Sequence, residues 1–153
     1  MWSTTVAATL RESGKRMTPQ RQAVVEALEE LQNAHPAAQQ VAERVRRRQP
    51  MVSEATVYKI LSELVGLNLL AAVDVHDGRV HYDLNTAPHA HAVCRRCGRI
   101  DDVRVGTRAW PYRGGAEAEE ALALPAGFRL EAVELVLRGL CADCARRAAG
   151  AAG

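Results

Sequence analysis

The 153-residue chain has no run approaching the roughly 20 apolar residues that a membrane-crossing helix needs. Its N-terminus also lacks a basic segment followed by an apolar one, so neither a secretory leader nor a membrane partner is expected, and the protein is expected to be cytoplasmic. A strong excess of one charge is missing too. The formal charge is only +2, too weak by itself to argue for nucleic acid. No compositional extreme is present, since 48% hydrophobic and 25% charged residues are ordinary for globular chains and exclude wholesale disorder. Cysteine is scarce, with four in all. In a reducing compartment, four cysteines arranged as two close pairs favour metal ligation over disulfides.

What charge there is lies unevenly. Residues 11 to 21 (RESGKRMTPQR) and 44 to 48 (RVRRR) concentrate positive charge early, whereas 117 to 134 is rich in glutamate. A chain of this length can bury one core or divide into two small modules, and the asymmetry suits two halves with different tasks.

The first half reads as three helices. Thr18 is an N-cap with Pro19 at the first helical position, and Val24, Val25, Ala27, Leu28 and Leu31 follow at helical spacing, which predicts a helix over about 18 to 33. After Pro36, the positions Ala38, Val41, Ala42 and Val45 predict a second helix over about 37 to 48, closed by Pro50. Ser53 caps a third, in which Val57, Leu61, Leu64 and Val65 form the buried stripe and Gly66 marks the end. Two strand-like runs around Asp77-Gly78 then predict a tight hairpin. Three helices and a hairpin describe a winged helix-turn-helix. Such a module can be a scaffold that binds nothing. Against that reading, Ser53, Glu54, Thr56, Tyr58 and Lys59 gather near the start of the third helix, where a recognition helix meets base edges and phosphates. Tyr58 lies beside the apolar stripe, where its ring can pack on a thymine methyl. Lys15, Arg16 and Arg21 can supply backbone or minor-groove contacts, although a solvated face is the usual meaning of such a run.

The second half carries the metal chemistry. Cys94 and Cys97 form one C-x-x-C, and Cys141 and Cys144 form another. Together they predict a closed tetrahedral zinc site with four thiolate ligands, each pair gripping one edge. A thioredoxin-like redox pair would need a strand, an active-site turn and a helix around a single C-x-x-C, and neither pair has that context. Residues 98 to 105 and 130 to 137 look like strands, and "GGAEAEEALAL" between them reads as a helix. Strand edges in so small an α+β domain often pair across a two-fold axis, so a homodimer is expected. The end of the chain has too little apolar bulk to pack. The expected organisation is therefore a DNA-binding domain over 1–84, a dimerisation and metal-binding domain over 85–146, and a flexible tail over 147–153.

His89, His91, Asp101 and Asp102 remain. In an extended segment residues i and i+2 share a face, so His89 and His91 can approach one metal together, while only one of the two aspartates is in place to join them. His35, at the break before the second helix, and Asp83, at the end of the hairpin, are further candidates. His76 and His81 read as ordinary wing residues.

The ordered set "RMTPQRQAVVEAL", "AHPAAQQV", "VSEATVYKILSELVGLNLL", "HAHAVCRRCGRIDDV" and "GLCADC", spread over about residues 10 to 146, resembles the ferric uptake regulator (Fur) family. The resemblance implies a homodimeric, metal-dependent transcriptional repressor that is not an enzyme, with an N-terminal winged helix and a C-terminal dimerisation domain. It implies structural zinc on Cys94, Cys97, Cys141 and Cys144. It further implies that the third helix reads the major groove of operator DNA with inverted-repeat half-sites. Arg16 falls on a basic position near the minor groove, and Tyr58 on a base-contacting tyrosine. Within the family the chain is similar to the peroxide-sensing branch, often called PerR, and to catalase-gene regulators of actinobacteria. In that branch the regulatory-metal positions correspond here to His35, Asp83, His89, His91 and Asp102, with His35 and His89 the oxidation-sensitive ones. Three imidazoles and two carboxylates suit Fe(II) or Mn(II) better than they select zinc, although nickel or zinc remain alternatives. Two other readings stay open: an iron, manganese, nickel or zinc uptake regulator without peroxide sensing, and, more remotely, a metal-dependent hydrolase.

Overall fold

The structure, a computed structural model, describes residues 1–87, 89–104, 124–130 and 133–150. The chain divides into two compact units, Met1–Thr86 and Ala87–Gly153.

In the first unit, four helices precede a two-stranded hairpin: α1 (Trp2–Glu12), α2 (Pro19–Leu31), α3 (Ala38–Arg48), α4 (Glu54–Gly66), β1 (Ala71–Asp74) and β2 (Val80–Asp83). The sequence reading placed three. The additional helix, α1, begins without a side-chain cap, and only the spacing of Trp2, Val6 and Leu10 marks it. Val6 and Leu10 are fully buried, and the Trp2 indole N–H donates to the Leu69 carbonyl at 3.1 Å. The other helix starts follow their caps. Thr18 accepts from the Arg21 amide ahead of Pro19, and Ser53 accepts from the Thr56 amide at 3.2 Å. Gln40 reaches back from α3 to accept the Ala37 amide at 2.8 Å, and three arginines sit in its last turn, where they oppose the helix dipole. The buried faces of α2, α3 and α4 form one apolar cluster with α1 and Tyr82.

Two local departures from the expected pattern matter later. The helix predicted to reach residue 33 stops at Leu31 and gives way to a single 3₁₀ turn, Gln32–Ala34, which ends at His35 in the left-handed region. The hairpin is wider than the tight Asp77-Gly78 turn expected. Asp74 pairs with Val80, so residues 75–79 form the loop. The Asp74 carboxylate accepts the His76 amide at 2.6 Å and the Asp77 carboxylate accepts the Arg79 amide at 3.0 Å. Such local bonds compete with the ladder and widen the turn.

The second unit holds a three-stranded sheet in the order β4-β3-β5, formed by β3 (Ala90–Cys94), β4 (Ile100–Val103) and β5 (Leu135–Gly139). β3 is central, antiparallel to β4 and parallel to β5. The final helix, α5 (Ala142–Gly150), continues through residues 147–150, into the segment expected as a tail. The strand expected over 130–137 is found as Leu135–Gly139. The helix expected over 114–124 falls almost wholly outside the described residues.

One ion cluster organises the basic segment before α2. Glu63 on α4 takes Lys15 at 2.5 Å and two guanidinium nitrogens of Arg21 at 2.8 and 2.9 Å. Arg21 also donates to the Arg16 carbonyl at 2.6 Å. Lys15 and Arg21 thus pair within the chain, and the cluster braces the loop carrying exposed Arg16. The Arg21 hydrogen bond, foremost, holds the Glu63 carboxyl below the usual glutamate range. A lowered folded value stabilises the fold above the unfolded glutamate pKa and is lost as pH falls through the folded one. Glu63→Gln is therefore expected to cost about 1 kcal/mol at neutral pH, the upper end for such pairs. Paired denaturant titrations should show the gap between variant and parent closing as pH drops below the carboxylate range. A gap that persists in acid would mean that the charge is not what matters.

Candidate metal centres

All four cysteines are free thiols, and their Sγ atoms lie within 4.8 Å of one another. Backbone pairing brings the two C-x-x-C segments together. In the parallel β3–β5 ladder Cys94 sits opposite Gly139, so both strands deliver their following cysteines to the same end of the sheet. A tight knuckle after β3, closed by the Gly98 amide on the Cys94 carbonyl at 2.8 Å, turns Cys97 back. Gly98 has φ +74°, a conformation that L side chains rarely adopt. Cys141 lies just ahead of α5 and Cys144 in its first turn. The Cys97 and Cys141 sulfurs are 3.8 Å apart, which matches the edge of about 3.8 Å that Zn–S bonds of about 2.3 Å give a tetrahedron.

The electrostatics of the cage suit a dication. Backbone amides of Cys141, Cys97 and Arg96 lower the Cys94 thiol to about 6. Burial, followed by the neighbouring thiols, pushes Cys144 up to about 12. A metal at the centre would reverse the second shift, because a coordinating thiol is deprotonated outright. Four sulfurs at these separations fit structural zinc, which would be held by Cys94, Cys97, Cys141 and Cys144.

The nitrogen and oxygen donors fall into two sets. In the first unit, His35 and Asp83 are both buried, with His35 Nε2 3.7 Å from the Asp83 carboxylate. They meet because the segment after His35 lies along β2: Ala37 bridges His81, and the Tyr82 amide donates to the Pro36 carbonyl at 3.0 Å. In the second unit, His89 and His91 have ring centroids 4.4 Å apart. Asp102 on β4 lies directly opposite His91 and 3.4 Å from His89 Nε2. His89 Nδ1–H donates to the Ala87 carbonyl at 2.8 Å, a bond that leaves Nε2 as the nitrogen with a lone pair to offer a metal. Asp101 faces the other way and pairs with Arg99 at 2.7 Å. Neither set contains a thiolate. Imidazole and carboxylate donors of this kind fit a regulatory divalent metal of the iron or manganese type.

The structure corrects one histidine. His81, read from sequence as an ordinary wing residue, is 8% exposed. Its Nδ1–H donates to the His35 carbonyl at 2.8 Å and its Nε2–H to the Asp77 carboxylate at 2.9 Å. The available signal was its position two residues before Asp83, which puts both side chains on one face of β2. His76, by contrast, is exposed at the hairpin tip.

On α4, Tyr58 is 43% exposed and Lys59 is exposed, while the hydroxyls of Ser53 and Thr56 are 2.8 Å apart within the helix cap.

The signature of the ferric uptake regulator family matches residues 12–107. Across 139 residues the chain is 33% identical to the peroxide operon regulator of Bacillus subtilis, covering 91% of this chain and 90% of that protein. The chain belongs to the ferric uptake regulator family. It is a metal-dependent repressor of that family. The ferric uptake regulation protein of Bacillus subtilis is 30% identical over 139 residues, covering 88% of this chain and 89% of that protein. The Campylobacter jejuni peroxide stress regulator matches in structure with a TM-score of 0.59 and 27% identity, over 82% of this chain and 89% of that one.

The second unit buries few side chains among the described residues, namely Ala90, His91, Val93, Cys94, Ile100 and Cys144. Structural zinc contributes on the order of 10 kcal/mol or more in small zinc domains, a large share beside the few side chains these residues bury. Cys97→Ser is therefore expected to release zinc and unfold the second unit, while the first, with its own apolar cluster, keeps its helices. Zinc analysis combined with residue-level hydrogen exchange checks this. Protection retained in β3 and β4 after zinc loss would contradict it.

Proposed function

We propose that this repressor senses peroxide through a regulatory metal whose ligands are His35, Asp83, His89, His91 and Asp102. The observation that carries this reading is the character of the donors: two sets of imidazole and carboxylate groups, one around His35 and Asp83 and one around His89 and Asp102, with every thiol gathered in a separate cage. Sorting the soft donors from the harder ones lets one chain hold zinc for architecture and iron or manganese for signalling. The identity to the Bacillus subtilis peroxide operon regulator supports the same branch.

A single ion drawing ligands from both units would couple metal occupancy to the orientation of the DNA-binding unit. Metal then raises operator affinity, and operator raises metal affinity by the same factor. Iron(II) held by these five residues would supply the electrons that activate peroxide beside the rings, chemistry that manganese(II) would supply far less readily. His35 and His89 carry the damage. One ring C–H becomes a carbonyl by taking one oxygen atom from peroxide, whose other oxygen leaves as water. The oxidised ring is a poorer ligand, so metal and operator are released.

The remaining parts follow the same reading. Tyr58 and Lys59 on α4, with Ser53 and Thr56 at its start and Arg16 on the braced loop, contact inverted-repeat half-sites in double-stranded DNA. Among the described residues β5 is an edge strand with partly exposed Leu135 and Leu137, followed by Leu140, an apolar strip suited to a second copy of the chain. Because Asp83 and Asp102 serve as ligands, neither is left as the base a hydrolase would need, and the chain acts as a regulator and not as an enzyme.

Operator binding by iron(II)-loaded and manganese(II)-loaded protein, before and after peroxide, tests this. The iron form is expected to lose on the order of 100-fold in affinity, about 2.7 kcal/mol of coupling, with one oxygen gained on the peptides containing His35 or His89. The manganese form should keep its affinity. Equal resistance of both forms would instead favour plain metal sensing, the reading that the 30% identity to the ferric uptake regulation protein supports.

A further inference from the structure

His35 is held in a conformation that it would not choose. Its φ is +43° and ψ +64°, in the left-handed region that few residues other than glycine occupy. Proline follows it, and a residue before proline is pushed toward extended backbone by the ring's Cδ. Such a backbone persists only where its surroundings over-determine it.

Two kinds of contact do so here. The Pro36–Ala37 segment is bound to β2 through the Ala37–His81 bridge and the Tyr82 amide, which fixes the chain after His35. The His35 carbonyl itself is taken by His81 Nδ1–H at 2.8 Å. The His81 ring cannot swing away, because its Nε2–H donates to Asp77 at 2.9 Å and the ring is buried. Asp77 in turn is anchored in the wing loop by the Arg79 amide at 3.0 Å. The hairpin loop is thus wired through one imidazole to the backbone of His35, whose own ring lies 3.7 Å from Asp83.

We infer that His81 is a positioning residue for the regulatory metal: by holding the His35 carbonyl it keeps the His35 imidazole aimed beside Asp83, without itself ligating. This rests on the reading of His35 as a ligand. Groups that orient a metal's ligands commonly change affinity on the order of 10- to 100-fold when removed.

The two bonds of His81 can be separated by substitution. The amide nitrogen of asparagine occupies the same bond position as Nδ1, and that of glutamine the position of Nε2. His81→Asn therefore keeps the bond to His35 and loses that to Asp77, whereas His81→Gln does the reverse. Each variant forfeits one hydrogen bond of the ring, the one to His35 buried and the one to Asp77 part-buried, so both should lose thermal stability. Their metal binding should differ. With zinc-loaded full-length protein, manganese(II) binding followed by the loss of the free-ion electron paramagnetic resonance signal is expected to weaken on the order of 10-fold or more in His81→Gln. His81→Asn should stay close to the parent. Equal manganese affinity in the two variants, whether both strong or both weak, would overturn the inference. His35→Ala serves as the control for the underlying reading. If it binds manganese(II) like the parent, His35 is not a ligand and both claims fall. If it loses manganese while His81→Gln retains it, only the positioning role of His81 is lost.

Discussion

The parallel pairing of β3 with β5 is the constraint on which the second unit depends. Parallel strands need a long crossover, and no tight turn exists to hold their register. Here the register places Cys94 opposite Gly139, and the cysteines that follow each strand meet at one end. A tetrahedral ion at that end would act as the missing turn. The consequence reaches beyond the cage, because β3 carries His91 as well as Cys94. A one-residue slip would send every side chain of the strand to the other face, and His91 would no longer lie across from Asp102. The proposed architectural and sensing donors are therefore neighbours on a single strand, and the register of the first would set the alignment of the second.

The first unit solves the same problem without metal. His35 and Asp83 are far apart in sequence, and neither a helix nor a hairpin alone would join them. They meet because the stretch after the 3₁₀ turn adds a short bridge to β2, so that Asp83 at the end of that strand lies beside the ring of His35. The strained backbone at His35 is the cost of turning from a helix into that bridge within a residue or two, and the His81 bond opposes its relaxation. Burial adds to the effect. With little water at hand, donors of this kind are oriented by the protein rather than by solvent, and an oriented ligand loses less entropy when metal binds.

Features written in local chemistry were legible in the sequence. Thr18 and Ser53 announced their helices because capping needs only a hydroxyl and the amides that follow it. The two C-x-x-C pairs announced a cage because four sulfurs at that spacing have few other uses in a reducing compartment. Strand alternation put both histidines of the H-x-H on one face and admitted one of the two following aspartates, and it was the family resemblance that singled out Asp102. What escaped depended on partners distant in the chain. α1 has an uncapped start, and its identity as a helix rests on packing Val6 and Leu10 into a core built by residues far downstream. The basic character of Lys15 and Arg21 was plain, but not their pairing with Glu63 on a helix far downstream. His81 read as an ordinary wing residue because its place on the Asp83 face of β2 does not by itself say that the segment after His35 will cover its ring.

The separation of donor types bears on how a metal-specific response arises from a protein that cannot alter the intrinsic affinity order of its ions. Zinc outcompetes iron and manganese at most nitrogen and oxygen sites, so the regulatory donors alone do not select against it. A thiolate cage with its own zinc does not remove that competition. Geometry offers more leverage, because zinc accepts four ligands in a tetrahedron readily, whereas a five-ligand set of fixed imidazoles and carboxylates suits ions that tolerate higher coordination. Rigidity is then a selectivity device. If the proposed ligands hold the ion, every contact that stops them from relaxing toward a tetrahedron, including the Ala87 carbonyl on His89 and the His81 ring on the backbone of His35, would weaken zinc relative to iron and manganese. On this argument the hydrogen bonds behind the proposed ligands, more than the ligands themselves, would decide which ion the repressor reads.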